Sequence, residues 1–255
     1  MGYVRNLLHS YSHRFVPSLF ARIAVTELAN LPKTLELSTS ELNAQLLSIF
    51  LRLAKEFPQL NFGQQRLDPD VEKDFKEVLY QELGFELERK ESTIKRAGRG
   101  VFLKRGFIQA GRVVCVYPGT IYHPGDSIFL PSLGNQFVLR CKDGVFIDGN
   151  DSRLSKWVFS SCARRDLGEK TCDETWMSDR PLSFLNLGQY VNNASNTSHN
   201  VQYMDLDLQG WPFETRRFLP YVSRGDGGNL MRVVCLVSTT QIAPSQELFS
   251  AYIST

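Results

Sequence analysis

Residues 188–203 read GQYVNNASNTSHNVQY: four asparagines, three hydroxyl residues and a histidine between two tyrosines. Each side-chain amide offers both donors and an acceptor, so such a run can carry sugar or bind something polar. Asn193-Ala194-Ser195 and Asn196-Thr197-Ser198 are formal glycosylation acceptors. Glycosylation requires secretion, and the N-terminus has no apolar core ahead of a small-residue cleavage site. The glycan reading falls. A binding loop and a plain amide-stabilised turn are the two readings left.

Other stretches limit the chemistry further. Gly98-Arg99-Gly100 precedes an apolar run but lacks the third glycine, helix and downstream acid of a dinucleotide fingerprint. It also lacks the Lys-Ser/Thr of a phosphate loop. His123 and His199 stand alone, without the spacing of a metal site, and no G-x-S-x-G elbow or His–Cys pairing is present. Residues 92–125 carry six basic side chains and no acid, yet no aromatics alternate with them as in a nucleic-acid platform. No nucleic-acid partner is expected.

The elements that must hold these residues come in two styles. TSELNAQLLSIFLRLAKEF and DPDVEKDFKEVLYQELGF place apolar residues at helical spacing, with Ser40 as the expected cap of the first and Gly84 as the stop of the second. Beyond about residue 90, short β-branched runs alternate with turn dipeptides: GVFL, RVVCVY, QFVLRC, VFID, VQYMDLDL and MRVVCLVS. The expected fold is mostly β, with two irregular inserts at 150–182 and 207–229.

At 255 residues, 42% hydrophobic and 22% charged, with a net charge of +2, the composition is that of an ordinary globular chain. Five cysteines without a C-x-x-C, several in apolar runs, read as reduced buried thiols of an intracellular protein. No apolar run is long enough for a membrane span, so no membrane partner is expected. Residues 1–26 hold Arg5, Arg14 and Arg22 with no acid before Glu27. They read as a mitochondrial targeting segment or as a basic amphipathic helix, which leaves nucleus, cytosol and mitochondrion open.

The order of the pieces carries more than any one of them. Gly98-x-Gly100, Tyr117-Pro118-Gly119, Tyr190-Val191-Asn192-Asn193-x-Ser195 and Glu247-Leu248-x-x-x-Tyr252 follow one another along the chain. This succession resembles the SET domain of protein lysine methyltransferases over about residues 92–255. The resemblance implies a mostly β SET domain (91–255) of several small sheets with a pseudoknot-like C-terminus, behind an α-helical N-terminal region (1–90). It implies S-adenosyl-L-methionine as cofactor and a protein or peptide lysine as substrate, with the chain acting as a monomer.

By the same resemblance Gly98, Arg99, Gly100, Tyr190, Asn192, Asn193 and Tyr252 bind the cofactor, while Tyr252 and Tyr117 serve catalysis. Asn192 would use its side chain, and Asn193, Arg99 and Gly100 their backbones. Several residues depart from the family pattern. Asn193 stands for its histidine, Ser195 for its cysteine, Thr120 for the glutamate of the Y-x-G-E strand end, and Ala251 for the aspartate before the last tyrosine. No cysteines follow Tyr252, so no post-SET zinc is expected. The competing implication is a catalytically weak SET-fold scaffold for protein interaction.

Overall fold

A computed structural model describes residues 38–60, 62, 68–141, 143–163, 172–194, 199–208, 210–223 and 231–250. The basic 1–26 segment, Ser195, Ala251 and Tyr252 lie outside the described residues.

Helix α1 (Thr39–Glu56) starts from Ser38 rather than Ser40. The reason is reciprocal capping. Ser38 Oγ accepts from the Ser40 N–H at 3.2 Å, and Glu41, three residues on, accepts the Ser38 N–H at 3.3 Å. Ser40 has Asn43 at that offset and cannot form the box. Helix α2 (Pro69–Leu83) uses Asp68 as cap and proline at its start. It stops at Gly84, whose φ of 76° suits a residue without a Cβ.

Leu42, Leu46, Ile49, Phe50 and Leu53 of α1 and Phe75, Leu79 and Leu83 of α2 join the same core as the strands. Burying each such side chain stabilises the fold by roughly 1.5–3 kcal/mol. Trp211 stacks at a tilt on Phe50, its indole N–H donating to Asn43 at 3.0 Å. That contact ties α1 to the segment just beyond residue 208.

Strand β1 (Phe85–Glu91) pairs antiparallel with β2 (Arg99–Gly106). A second sheet runs β3 (Val113–Val116), β10 (Met231–Ser238), β8 (Val201–Leu208), β11 (Phe249–Ser250), β7 (Asn192–Asn193). Every residue of β3, and all of β10 but its first, is buried, which is why VVCV and the VVCLV of β10 read as unbroken apolar runs. A third sheet runs β5 (Val138–Arg140), β6 (Phe146–Asp148), β4 (Gly119–Tyr122), β9 (Tyr221–Ser223).

Both expected inserts carry regular structure. The first contains α3 (Arg153–Ala163), whose Phe159 meets Trp176 edge to face at 5.1 Å in a small core of its own. The second contains the end of β8, a short α4 (Phe213–Arg216) and β9. β9 pairs in parallel with β4, at Gly119↔Tyr221. A partner about a hundred residues away leaves no local trace in sequence.

The second sheet has one topological feature that matters for the site. β7 and β8 are consecutive in the chain but not neighbours in the sheet, because β11 lies between them and pairs in parallel with both. The C-terminal segment thus enters the loop that joins β7 to β8.

Candidate functional site

The threaded strand brings three distant segments together. Asn192 opens β7, Gly98-Arg99-Gly100 opens β2, and Glu247 precedes β11. Asn192 Nδ2 donates to the Arg99 carbonyl at 3.1 Å and to Glu247 Oε1 at 3.2 Å, so one amide joins all three.

Glu247 is the hub. It is 5% exposed and accepts from Ser92 Oγ at 2.6 Å, from the Thr93 N–H at 2.8 Å and from Thr93 Oγ1 at 2.5 Å. Burial pushes its pKa up. The Ser92, Thr93 and Asn192 donors outweigh that and hold the carboxyl below its ordinary value. Glu247 is therefore a structural anion that pins the β1–β2 turn to the C-terminal segment.

The two glycines of the G-x-G differ. Gly98 has φ 77° and open space around it, so its lack of a side chain serves the turn. A Cβ on Gly100 would lie 2.1 Å from Glu247 Oε1 and 3.3 Å from Asn192 Nδ2. Glycine there lets β2 close on the hub. Arg99 is exposed, with its guanidinium 3.6 Å from Asp179.

Asn200, on the far side of the threaded segment, holds its backbone. Its Nδ2 donates to the Glu247 carbonyl at 2.9 Å, while its Oδ1 accepts the Phe249 N–H at 2.8 Å. Its own N–H donates to the Phe249 carbonyl at 2.9 Å. Ser92, Thr93 and the clamp by Asn200 escaped sequence reasoning. The amide density of residues 192–200 was the one available signal.

Asn192 is half-buried, and its amide hydrogens are spent on the protein rather than left for a ligand. Among the described residues its Oδ1 has no partner, which fits an acceptor for a ligand N–H. Asn193 is exposed and pairs with Ser250 in the β7–β11 ladder.

Tyr190 ends the tight turn Gly188–Tyr190. Its hydroxyl donates to Asp151 Oδ2, the Arg89 guanidinium lies 4.5 Å from its ring centroid, and Phe137 meets it edge to face at 6.0 Å. Burial, followed by the Asp151 carboxylate, raises the phenol's pKa. Tyr117 is buried, donating its hydroxyl to the Phe137 carbonyl at 2.7 Å. Phe137 thus touches both tyrosines through different atoms. The structure brings Arg99, Gly100 and Asn192 together around Glu247, with Gly98 in the adjoining turn and Asn193 paired to Ser250, while Tyr117 and Tyr190 share Phe137.

Beside the 188–190 turn, Asp173 is fully buried, accepting from Thr175 at its N–H and Oγ1 and from Asn186 Nδ2 at 2.7 Å. Burial raises its pKa to about 6 despite those donors. Among the described residues no group of three or more His, Cys, Asp or Glu could hold a metal ion, and no helix is long and apolar enough to cross a membrane.

Comparison with known proteins gives a consistent set of relatives. SET domain-containing protein 9 of Pongo abelii is 43% identical over 181 residues, covering 69% of this chain and 66% of that protein. The Homo sapiens protein of the same name is also 43% identical over 181 residues, covering 69% of this chain and 60% of its own. In both cases the match spans less than two thirds of the relative. No protein-family model matches the sequence. Among solved structures, KRYPTONITE in complex with mCHH DNA, an H3(1-15) peptide and SAH has 18% identity and a TM-score of 0.37, over 68% of this chain and 24% of that one. A humanized mutant of the Chaetomium thermophilum Polycomb Repressive Complex 2 has 16% identity and a TM-score of 0.37, over 74% of this chain and 19% of that one.

Proposed function

Since the chain belongs to the SET-domain family, with a mostly β fold behind N-terminal helices, we propose that it is an S-adenosylmethionine-dependent protein-lysine N-methyltransferase. One observation carries this reading: the threaded C-terminal segment, the G-x-G turn and Asn192 meet at a single hub, Glu247. We take residues 1–90 as the helical N-terminal region and 91–255 as the SET domain, acting as a monomer inside the cell on a protein or peptide lysine.

The cofactor fits the residues present. Asn192 offers an amide oxygen that has no partner among the described residues, Asn193 and Arg99-Gly100 offer backbone, and Gly98 needs no side chain in its turn. S-adenosylmethionine, when bound, supplies an electrophilic methyl group. The chain's task is then to hold a neutral lysine amine in line, which is catalysis by positioning. Tyr252 aligns the reacting groups. Tyr117, with its hydroxyl held on the Phe137 carbonyl, would line the substrate channel.

Calorimetric titration with S-adenosylmethionine tests the site, and methyl transfer from labelled cofactor to a peptide array tests the reaction. Tyr252→Phe should lower turnover about 100-fold with little change in cofactor affinity. Equal turnover in the two proteins would remove Tyr252 from the mechanism. Tight cofactor binding without transfer in either would favour the interaction scaffold.

A further inference from the structure

Tyr190 is held by residues that the family motifs do not contain. Asp151 lies at the start of the first insert and takes the Tyr190 hydroxyl. Arg89 comes from β1, and its side chain is 6% exposed, an unusual placement for a guanidinium unless it is fully engaged. It faces the Tyr190 ring, lies 3.9 Å from Asp151 Oδ2 and 3.5 Å from Asp179 Oδ1, and donates to the Asp179 carbonyl at 3.2 Å. Asp179 also faces Arg99 of the G-x-G turn. Both ends of the 150–182 insert therefore converge on Arg89, and its first end on Tyr190 as well.

A tyrosine two residues before Asn192 would be fixed well enough by packing alone. Here its ring face, its ring edge and its hydroxyl are each engaged by a different element: β1, the segment before β5, and the insert. A buried cation over the ring and a carboxylate on the hydroxyl restrict both tilt and rotation. We propose that Arg89 and Asp151 are positioning residues that lock Tyr190 for the cofactor, so that the insert sets how well the cofactor site is formed. This rests on the methyltransferase reading.

The test uses the full chain, S-adenosylhomocysteine as probe, and tyrosine labelled with 13C at the ζ carbon. The Tyr190 resonance is assigned by its loss in Tyr190→Phe. Asp151→Leu and Tyr190→Phe should each weaken S-adenosylhomocysteine binding about tenfold, whereas Asp151→Asn, which keeps an acceptor, should stay within about threefold. The Tyr190 resonance should move in Asp151→Leu and stay near its original position in Asp151→Asn. Saturable binding indifferent to all three variants, or an unmoved resonance in Asp151→Leu, would overturn the clamp alone. Equal weakening by Leu and Asn would overturn it too, by showing a packing effect rather than an acceptor. No saturable binding to the unaltered chain would overturn the cofactor reading itself, and the clamp's purpose with it.

Discussion

Gly100 and Glu247 lie so close that a Cβ on the first would stand 2.1 Å from a carboxylate oxygen of the second and 2.8 Å from its Cδ. The carboxylate cannot swing aside without abandoning Ser92, Thr93 and Asn192. Gly100→Ala should therefore destabilise the protein by about 1–3 kcal/mol through overpacking. Urea denaturation measures it. A variant of unchanged stability would mean that β2 and the hub are not closed against each other.

Glu247→Gln keeps the volume but turns an acceptor of several hydrogen bonds into a group with two donors of its own. The expected cost is about 1–3 kcal/mol at neutral pH. The pH dependence has a definite sign. A carboxyl whose folded pKa is depressed gives stability that is present above its unfolded value and lost as pH falls through the folded one. The Gln variant should show a shallower loss of stability on the acid limb. Chemical denaturation between neutral and acid pH checks this, and parallel curves for the two proteins would contradict it.

Asn200 holds the threaded strand by its side chain at the Glu247 carbonyl and the Phe249 N–H. Asn200→Ala should open that strand locally before the rest of the domain loosens. Hydrogen exchange read residue by residue should show faster exchange at Phe249, while Val234 and Cys235 in β10 keep their protection. Uniform acceleration would mean that the strand is not a separate unit.

Asp173 works in the opposite sense to Glu247. Its folded pKa is raised to about 6, so the stability of its protonated form is complete below the unfolded value and lost as pH rises through about 6. The loss should be on the order of 2 kcal/mol. In Asp173→Asn that slope should disappear, and above pH 6 the variant should be as stable as the parent or more so. The new amide can donate to Asn186 Oδ1, which is buried without a partner in the present arrangement. Thermal melts at several pH values decide the matter, and a slope unchanged in the variant would reject the assignment.

Much of this was legible in the sequence, and what was missed shares a cause. Each of the six β-branched runs contains, forms or lies within a strand, and the order of the four motifs pointed to the family. β1 went unread because only Phe85 and Leu87 of FELERKE are apolar before an unbroken charged run, and Glu86 is buried where it pairs with Lys104 and Arg105. β7 and β11 are two residues each, and only their partners make them strands. Ser92 and Thr93 meet a carboxylate about 155 residues away. Arg89 and Asp151 read as ordinary surface charges until folding brings them to Tyr190. Local pattern announces elements, whereas hydrogen bonds between distant turns have no periodicity to announce them.

The passage of β11 between β7 and β8 has a consequence in time as well as in space. The loop it enters is translated some fifty residues earlier, and its pairings are parallel and long-range, the slowest class of contact to form. The helices and the β1–β2 hairpin, whose contacts are local, can settle first. The Asn192–Glu247 hub must wait until the last strand has emerged and threaded. The protein thus passes through a stage in which local structure is built and the Asn192–Glu247 hub has not yet closed.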